Sequence, residues 1–446
     1  MISRVTVCLG ARAADSTTPT IESGLRRPLM QNASRLRFCL TSFLLGMIFV
    51  HAVLFWVVRQ QLIAGSSDFR IFYTAGLMLR RGEGRLLYDE ALQTEVERES
   101  APQAVKRGGP LPYNHPPFEA TLFVPLTYLP YFSAYCVWIG LNMLLLAGSI
   151  YLIRPRLPAL KEHYPWLLAL APLAFFPIAY ALLQGQDSIL LLALYCIAYA
   201  AFRRGNDVEA GAYLGMGLFK FHLILPFAFI LLLRRRWRAL AGMSVIAAVE
   251  LVVSWTLVGA RQLLLYPTFA WHVNREQAPG VIVPANMANL RGLLEGWKGM
   301  SYPPPWIDIA IMAVSIGLLI WSSRRWQSVG LTDKIQWDSA FSISLVVTYL
   351  VGYHGYNHDM SFLLLPLVLT IDRVLEVPGK ASAGLKLVLV LMFFTPLYLL
   401  LTLQWSHQNL FSIVLLCFAG YLAASAKAPP PASADKDTVP SSVPLL

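Results

Sequence analysis

The sequence predicts an all-α polytopic membrane protein, on the strength of its composition and of its long uncharged runs. Only 14% of the 446 residues are charged and 56% are hydrophobic, whereas soluble domains carry about 25% charged residues. Runs such as 43–58, 309–321 and 387–403 contain no charge and approach the roughly 20 apolar residues that a helix needs to cross a bilayer. A single soluble core is therefore excluded.

The apolar runs define the predicted crossings. Ten are expected, at about 38–60, 131–153, 166–183, 187–203, 238–258, 306–322, 338–353, 360–375, 383–403 and 408–425. The apolar segment 118–129 is too short to cross and lies between prolines, so we expect a re-entrant or interfacial helix there. Three domains follow: a basic N-terminal segment 1–37, a membrane domain 38–425, and a Pro-rich tail 426–446 that should be disordered.

Basic residues orient the chain. They cluster between apolar runs, as at Arg203-Arg204, Arg234–Arg236 and Arg324-Arg325, which is typical of cytoplasmic loops. The net charge of +11 therefore indicates membrane topology and no nucleic-acid partner. We expect both termini to be cytoplasmic in a bacterial-type inner membrane. The first long loop (61–117) and the second long loop (259–305) are then external.

This orientation constrains the path of residues 210–233 through the membrane. The arginine clusters on either side both belong inside, so the chain between them has to return to its starting side. About 24 residues are too few for two ordinary crossings, which favours a broken hairpin with Lys220 and His222 near its tip. Non-helical backbone at that depth must be packed in protein or line a wet cavity. A single crossing is the alternative, and it would invert everything downstream.

The unusual polar residues then fall on the external face. Ionisable groups at membrane depth are costly and mark functional sites by default. The patches are Ser67–Tyr73, Tyr113–Pro117, Gln184–Asp187, Lys220–His222, the second long loop with His272, Asn274, Arg275, Asn286, Asn289 and Arg291, and Tyr353–Asp359.

Simpler interpretations exist for several of these residues. Asp68 could only cap the following helix, Lys220 could extend to the membrane surface, and Gln184 and Gln186 could only bond between helices.

Metal and disulfide chemistry are not predicted. His354 and His358 have the spacing of a helical metal pair, but the Gly and Asn between them favour a turn. The five cysteines form no CxxC pair, so neither a disulfide framework nor a cysteine metal cluster is expected.

From Asp68 to Pro366 the chain resembles glycosyltransferase family 87, the polyprenyl-phosphate-dependent enzymes of the multi-spanning GT-C class. The resemblance rests on the order and spacing of several short motifs. They are Asp-Phe-x-x-Phe-Tyr from Asp68, Tyr-x-x-Pro-Pro-Phe from Tyr113, Gly-Gln-x-Ser from Gly185, Gly-x-x-Leu-Gly-x-Gly-Leu-x-Lys ending at Lys220, Asn-Met-Ala-Asn-Leu-Arg-Gly from Asn286, and His-Asp-Met-Ser-Phe-Leu-Leu-Leu-Pro from His358. Two departures, His358 in a motif that often reads Tyr-Asp-Leu and Asp187 where Asn is common, bear on the sugar and the acceptor.

The resemblance implies a GT-C-like bundle and an inverting sugar transfer, with mannose expected, from a polyprenyl phosphate to a hydroxyl of a lipid or glycan acceptor. Because phosphate leaves as a stabilised anion, one carboxylate acting as base suffices, whereas glycosidases usually need two. The resemblance makes Asp68 that base and implies no cofactor and no required metal. The donor phosphate is assigned to Lys220, His222, His354, His358 and Arg291, and sugar or acceptor hydroxyls to Asn114, His115, Gln184, Gln186, Asp187, Asn289, Tyr356 and Asp359.

Two other functions compete with this one. Broken helices near the membrane middle are also typical of transporters, so a flippase for lipid-linked sugars is the alternative, although the two halves of the sequence show no repeat. A scaffold subunit without chemistry would leave Asp68 unexplained.

Overall fold

The computed structural model describes residues 21–275, 282–296, 304–326, 333–376 and 381–425. Every regular element in these ranges is helical, so the prediction of an all-α membrane protein is confirmed. The tail 426–446, which is predicted to be disordered, lies outside the described residues. So do residues 1–20 of the basic N-terminal segment 1–37.

The helices follow one another with few long connections. The first half of the chain forms α1 (Ile21–Ile63), α2 (Phe69–Arg80), α3 (Glu90–Ser100), α4 (Pro102–Gly108), α5 (Tyr131–Ile153), α6 (Pro158–His163), α7 (Leu167–Ala174), α8 (Phe176–Gln184) and α9 (Ser188–Arg203). The second half forms α10 (Asp207–Gly215), α11 (Phe221–Leu233), α12 (Trp237–Arg275), α13 (Leu290–Glu295), α14 (Pro305–Arg324), α15 (Lys334–Val351), α16 (Leu364–Glu376), α17 (Ala383–Phe393), α18 (Thr395–Leu399) and α19 (Phe411–Ser425).

Among the described residues, between five and eight spans are long and apolar enough to cross a membrane, compared with the ten predicted. Five are single helices (α1, α5, α12, α14 and α19), and three more arise if each bent helix pair counts as one span. The remaining predicted crossings correspond to α9, α15 and α16, which have 16, 18 and 13 residues. Most of their side chains are buried, so these helices form the centre of the bundle.

The segment predicted as a broken hairpin is indeed broken. Its two helices, α10 and the stretch 218–233, are bent by 62°. The guanidinium of Arg236 lies 3.5 Å from Asp207, and a Cβ on Gly211 would lie 1.8 Å from the carbonyl oxygen of Ala239. The start of α12 therefore packs against the start of α10. The chain between them has returned, as a hairpin requires and a single crossing does not.

The segment 118–129 is helical, as predicted, but not α-helical. It forms two short 3₁₀ helices, Pro117–Leu122 and Val124–Tyr128. Each turn has a proline in its first residues, and Phe123 between them is fully buried. A Cβ on Gly76 of α2 would lie 2.9 Å from the Phe123 carbonyl carbon. Close packing against α2 thus replaces helical continuity.

Two of the broken spans are joined by one histidine. The α7–α8 pair is bent by 60° and the segment of α17 and α18 by 64°. His51 of α1 is 5% exposed, and its Nδ1 lies 3.0 Å from the carbonyl oxygen of Leu173, while its Nε2 lies 2.8 Å from Oγ1 of Thr395. Polar groups at a helix break inside a bilayer need such internal partners.

We therefore expect His51→Leu to lower the free energy of unfolding by about 1–3 kcal/mol, because two buried polar groups lose their partner. The midpoint of thermal unfolding of the purified protein measures this. The matched control is His163→Leu, since His163 is an exposed residue. Equal midpoints for the two variants would show that the bridge does not stabilise the breaks.

Candidate active site

A cavity of about 180 Å³ collects most of the polar residues singled out in the sequence. It lies between the first long loop, the start of α11 and the turn after α15. Ten of the fourteen predicted site residues line it: Asp68, Asn114, His115, Gln186, Lys220, His222, His354, Tyr356, His358 and Asp359. The patches that lie far apart in the sequence are thus neighbours in the fold.

Asp68 is held by the turn between α8 and α9. It occupies the N-cap position of α2 but makes no side-chain capping bond, so the simple capping interpretation does not hold. Instead, Nε2 of Gln186 donates to Oδ2 of Asp68 at 2.8 Å. The Asp68 backbone N–H donates to Oε1 of Gln184 at 3.3 Å. Gln186 therefore holds the carboxylate of Asp68, and Gln184 holds its backbone.

Gly185 makes this turn possible. Its φ of +64° is left-handed, a conformation that glycine adopts without steric cost. A Cβ there would also lie 2.7 Å from the Cβ of Phe69. The Gly185 carbonyl accepts a hydrogen bond from Nε1 of Trp138 at 2.9 Å. The turn can therefore press directly on the start of α2, where Asp68 lies.

Lys220 forms the electrostatic centre of the cavity. Its Nζ lies 2.9 Å from Oδ1 of Asp187 and 2.8 Å from Oδ1 of Asp359. Lys220 is 2% exposed, so it does not extend to the membrane surface. Both carboxylates are buried as well. The sequence assigned Asp187 and Asp359 to substrate hydroxyls, but the structure uses them to neutralise Lys220, and Asp187 does not line the cavity.

Glu119 was not singled out in the sequence and lies directly behind this centre. It is fully buried, and its Oε2 lies 2.8 Å from Nδ1 of His115. Burial lowers the pKa of His115 to about 4, which keeps that imidazole neutral at physiological pH. A lone carboxylate within the apolar segment 118–129 was the signal that could have revealed Glu119.

One group of side chains has metal-ligand geometry. Candidate ligand atoms of His115, Glu119 and Asp187 all lie within 4.8 Å of one another. The ammonium of Lys220 already contacts Asp187 and supplies positive charge at this point. His354 and His358 form no helical pair, in agreement with the turn expected from Gly355 and Asn357, because the 3₁₀ helix that contains His358 begins only at Asn357.

Besides His115, three histidines line the cavity: His222, His354 and His358. The ring centroids of His222 and His354 lie 5.8 Å apart, and His358 stacks on Tyr180 at 6.1 Å. Within the described part of the chain, Nε2 of His222 and Nδ1 of His358 are buried and have no hydrogen-bond partner. Such groups cost about 1–3 kcal/mol each when left unpaired. Both histidines also line the cavity.

Arg291 and Asn289 do not line the cavity. Nε of Arg291 donates to Oε2 of Glu295 at 3.0 Å, and its guanidinium lies 4.2 Å from the centre of the Tyr353 ring. Asn289 caps α13 and donates to the carbonyl of Gly352 at 2.7 Å. Both residues hold the second long loop against the turn that carries the histidines.

The Lys220 cluster predicts a measurable stability pattern. We expect Lys220→Met to destabilise the fold by about 3–5 kcal/mol, because it leaves buried carboxylates without a partner. Adding Asp187→Asn should restore part of that loss, since one uncompensated charge is removed. The midpoint of thermal unfolding reports both effects, with Lys161→Met on the exposed surface of α6 as control. A double variant no more stable than Lys220→Met would contradict the pairing.

Comparison with known proteins identifies the family. The sequence pattern of glycosyltransferase family 87 matches residues 113–352, which is more than half of the chain. No curated protein and no solved structure matches the chain. The matched range includes Asn114, Gln186 and Lys220 of the cavity. The predicted resemblance is confirmed: the chain belongs to glycosyltransferase family 87 and is a membrane glycosyltransferase.

Proposed function

We propose that this enzyme transfers a sugar, with mannose as the first candidate, from a polyprenyl phosphate to a hydroxyl of a lipid or glycan acceptor, with inversion at the anomeric carbon. The observation that carries the proposal is the shared cavity, in which the carboxylate of Asp68 and the basic wall around Lys220 face one space. A base and an anion-binding wall are the two elements that such a transfer requires.

The bond changes need only one carboxylate. Asp68 takes the proton of the acceptor hydroxyl as its oxygen attacks the anomeric carbon. The bond between that carbon and the phosphate oxygen breaks, and the leaving polyprenyl phosphate keeps the electron pair. Because this leaving group is a stabilised anion, no general acid is required. Gln186 keeps the carboxylate oriented throughout.

The donor phosphate fits the basic wall. Imidazole N–H groups of His222, His354 and His358 are natural donors to phosphate oxygens, and two of these rings have a buried nitrogen without a partner among the described residues. Lys220 pairs with Asp187 and Asp359 and so fixes the positions of the elements that carry His222 and His358. Arg291 is engaged by Glu295 and Tyr353, so we leave it out of the phosphate site.

The sugar of the donor would contact the remaining polar wall of the cavity. Asn114, His115, Gln186 and Tyr356 line it and offer amide, imidazole and phenol groups to sugar hydroxyls. We propose no metal requirement, because the polyprenyl phosphate leaves as a stabilised anion and the imidazole N–H groups of the cavity can donate hydrogen bonds to its oxygens.

The membrane setting of the reaction follows from the lipid-linked donor. The sides of α12 and α14 expose large apolar residues, among them Leu251, Trp255 and Ile309, as surfaces facing acyl chains do. We propose a bacterial-type inner membrane, cytoplasmic termini and a cavity that opens at the external face, where the donor arrives laterally.

We expect Asp68→Asn to reduce transfer by about 10²–10⁴-fold, since the general base is lost while its size and its contact with Gln186 are kept. The assay contains the purified enzyme in liposomes with polyprenyl-phosphate [¹⁴C]mannose and native membrane lipids as acceptors. Asp89→Asn is the matched control, because Asp89 also precedes a helix. Its Oδ1 accepts a hydrogen bond from the backbone N–H of Leu92, and Asn caps a helix equally well.

Full transfer by Asp68→Asn would refute the base assignment. The same assay with native enzyme in EDTA tests the metal proposal, and a rate lost in EDTA and restored by a divalent cation would refute that proposal alone.

His358→Phe should raise the apparent KM for the donor about 10- to 100-fold, the effect of losing one hydrogen bond to a charged group. Phenylalanine retains the ring contact with Tyr180, and the apparent KM for the acceptor should not change. His163→Phe on the protein surface serves as the control. An unchanged donor KM would remove His358 from the phosphate site.

A further inference from the structure

A second cavity, of about 350 Å³, adjoins the first one. Asp68 and Leu111 line both cavities, so the proposed base stands at their boundary. None of the basic residues around Lys220 lines the second cavity. Its polar wall comes from Gln61, Ser66, Ser67, Arg70 and Gln184.

The boundary between the cavities is fixed by hydrogen bonds to the backbone. Nη2 of Arg70 donates to the Gly109 carbonyl at 2.9 Å. The Leu111 N–H donates to Oε2 of Glu97 at 3.1 Å, and Glu97 is fully buried. The segment 109–111, which separates the two cavities, is therefore held by hydrogen bonds to Arg70 of α2 and to Glu97 of α3. Two ligands could occupy the two cavities at the same time.

Arg70 gives the wall of the second cavity a cationic side chain. Its side chain is 4% exposed, and its Nε is buried without a hydrogen-bond partner in the part of the chain that the structure describes. Together with the amides of Gln61 and Gln184 and the two serine hydroxyls, it forms a wall of neutral and cationic hydrogen-bonding groups. Such a mixture complements the hydroxyls of a sugar, each of which both donates and accepts.

The second cavity begins where α1 ends. Gln61 lies in the last turn of α1, and further back along this helix Phe49, Trp56 and Val57 are more than half exposed. The guanidinium of Arg59 lies 3.8 Å from the Trp56 ring centre, an arrangement typical of a membrane interface. An alkyl chain lying along this face of α1 would place its polar head group at the cavity.

We propose that the second cavity is the acceptor site and that the acceptor is a glycolipid: a sugar head group bound by Gln61, Ser66, Arg70 and Gln184, with its alkyl chain along α1. This inference rests on the proposed function, since Asp68 must reach the acceptor hydroxyl from one cavity and the donor carbon from the other. Separate cavities allow the attacking oxygen and the leaving phosphate to lie on opposite sides of the anomeric carbon, as inversion demands.

Gly108 offers a way to fill this cavity without disturbing the fold. It lines the second cavity only, and a Cβ there would meet nothing within 4 Å. Gly108→Phe therefore adds a ring in open space, and Ser66→Leu at a second exposed wall position gives an independent blockade. Gly148→Phe on α5 is the matched control, because a Cβ there also meets nothing within 4 Å and Gly148 lines neither cavity.

Binding is measured without the reaction, with the full-length protein in nanodiscs and no sugar donor. The probes are radiolabelled dodecyl mannoside, glucoside and galactoside for the second cavity, and undecaprenyl phosphate for the first. We expect Gly108→Phe and Ser66→Leu to weaken binding of the preferred glycoside at least tenfold and to leave undecaprenyl phosphate binding unchanged. The corresponding methyl glycoside should compete at least tenfold more weakly than the dodecyl compound.

Three results would overturn the proposal. They are native binding of none of the three glycosides, unchanged glycoside binding in both blocking variants, and equal competition by the methyl glycoside, which would indicate a soluble glycan acceptor. Failure here is distinguishable from failure of the proposed function. Binding to the second cavity does not depend on Asp68 acting as a base, and loss of transfer in Asp68→Asn does not depend on which acceptor is bound.

Discussion

The ion pairs of Lys220 with Asp187 and Asp359 are the interaction on which the rest of the site depends. They join the turn before α9, the start of α11 and the turn after α15, three elements that are distant in sequence. Burying these charges is costly, and the cost is met only while all three groups stay in contact. The pairs therefore act as a constraint that closes the bundle around the cavity and places the histidine-bearing turn beside the broken α10–α11 segment.

The same turn connects this electrostatic centre to Asp68, the proposed base. Asp187 follows directly after Gln186, so one short stretch holds Lys220 on one side and Asp68 on the other. Gly185 lets that stretch approach α2 more closely than any residue with a Cβ could. The adjacent residues Gln186 and Asp187 thus fix the spacing between the Asp68 carboxylate and Lys220 through a hydrogen bond and an ion pair, which is the preorganisation that the proposed catalysis requires.

The sequence was most informative where a residue's own neighbourhood decides its structure. Composition and uncharged runs gave the helical membrane class, and charge clusters gave the return of residues 210–233. Ten of the predicted site residues do line one cavity. Long-range pairing was not visible: nothing local shows that Asp187 and Asp359 meet Lys220, or that Asn289 and Arg291 hold a loop. The 3₁₀ form of residues 117–128 was missed because its close packing on α2 is a tertiary effect.

The central claim is a single displacement with Asp68 as the only base, and the anomeric configuration of the product tests it most directly. The one-bond coupling between C1 and H1 of the transferred sugar, measured by NMR with ¹³C-labelled donor, distinguishes the two anomers. A single displacement predicts the configuration opposite to that of the donor. Retention would contradict the mechanism, because it requires a covalent sugar–enzyme intermediate and a nucleophile on the other face of the sugar.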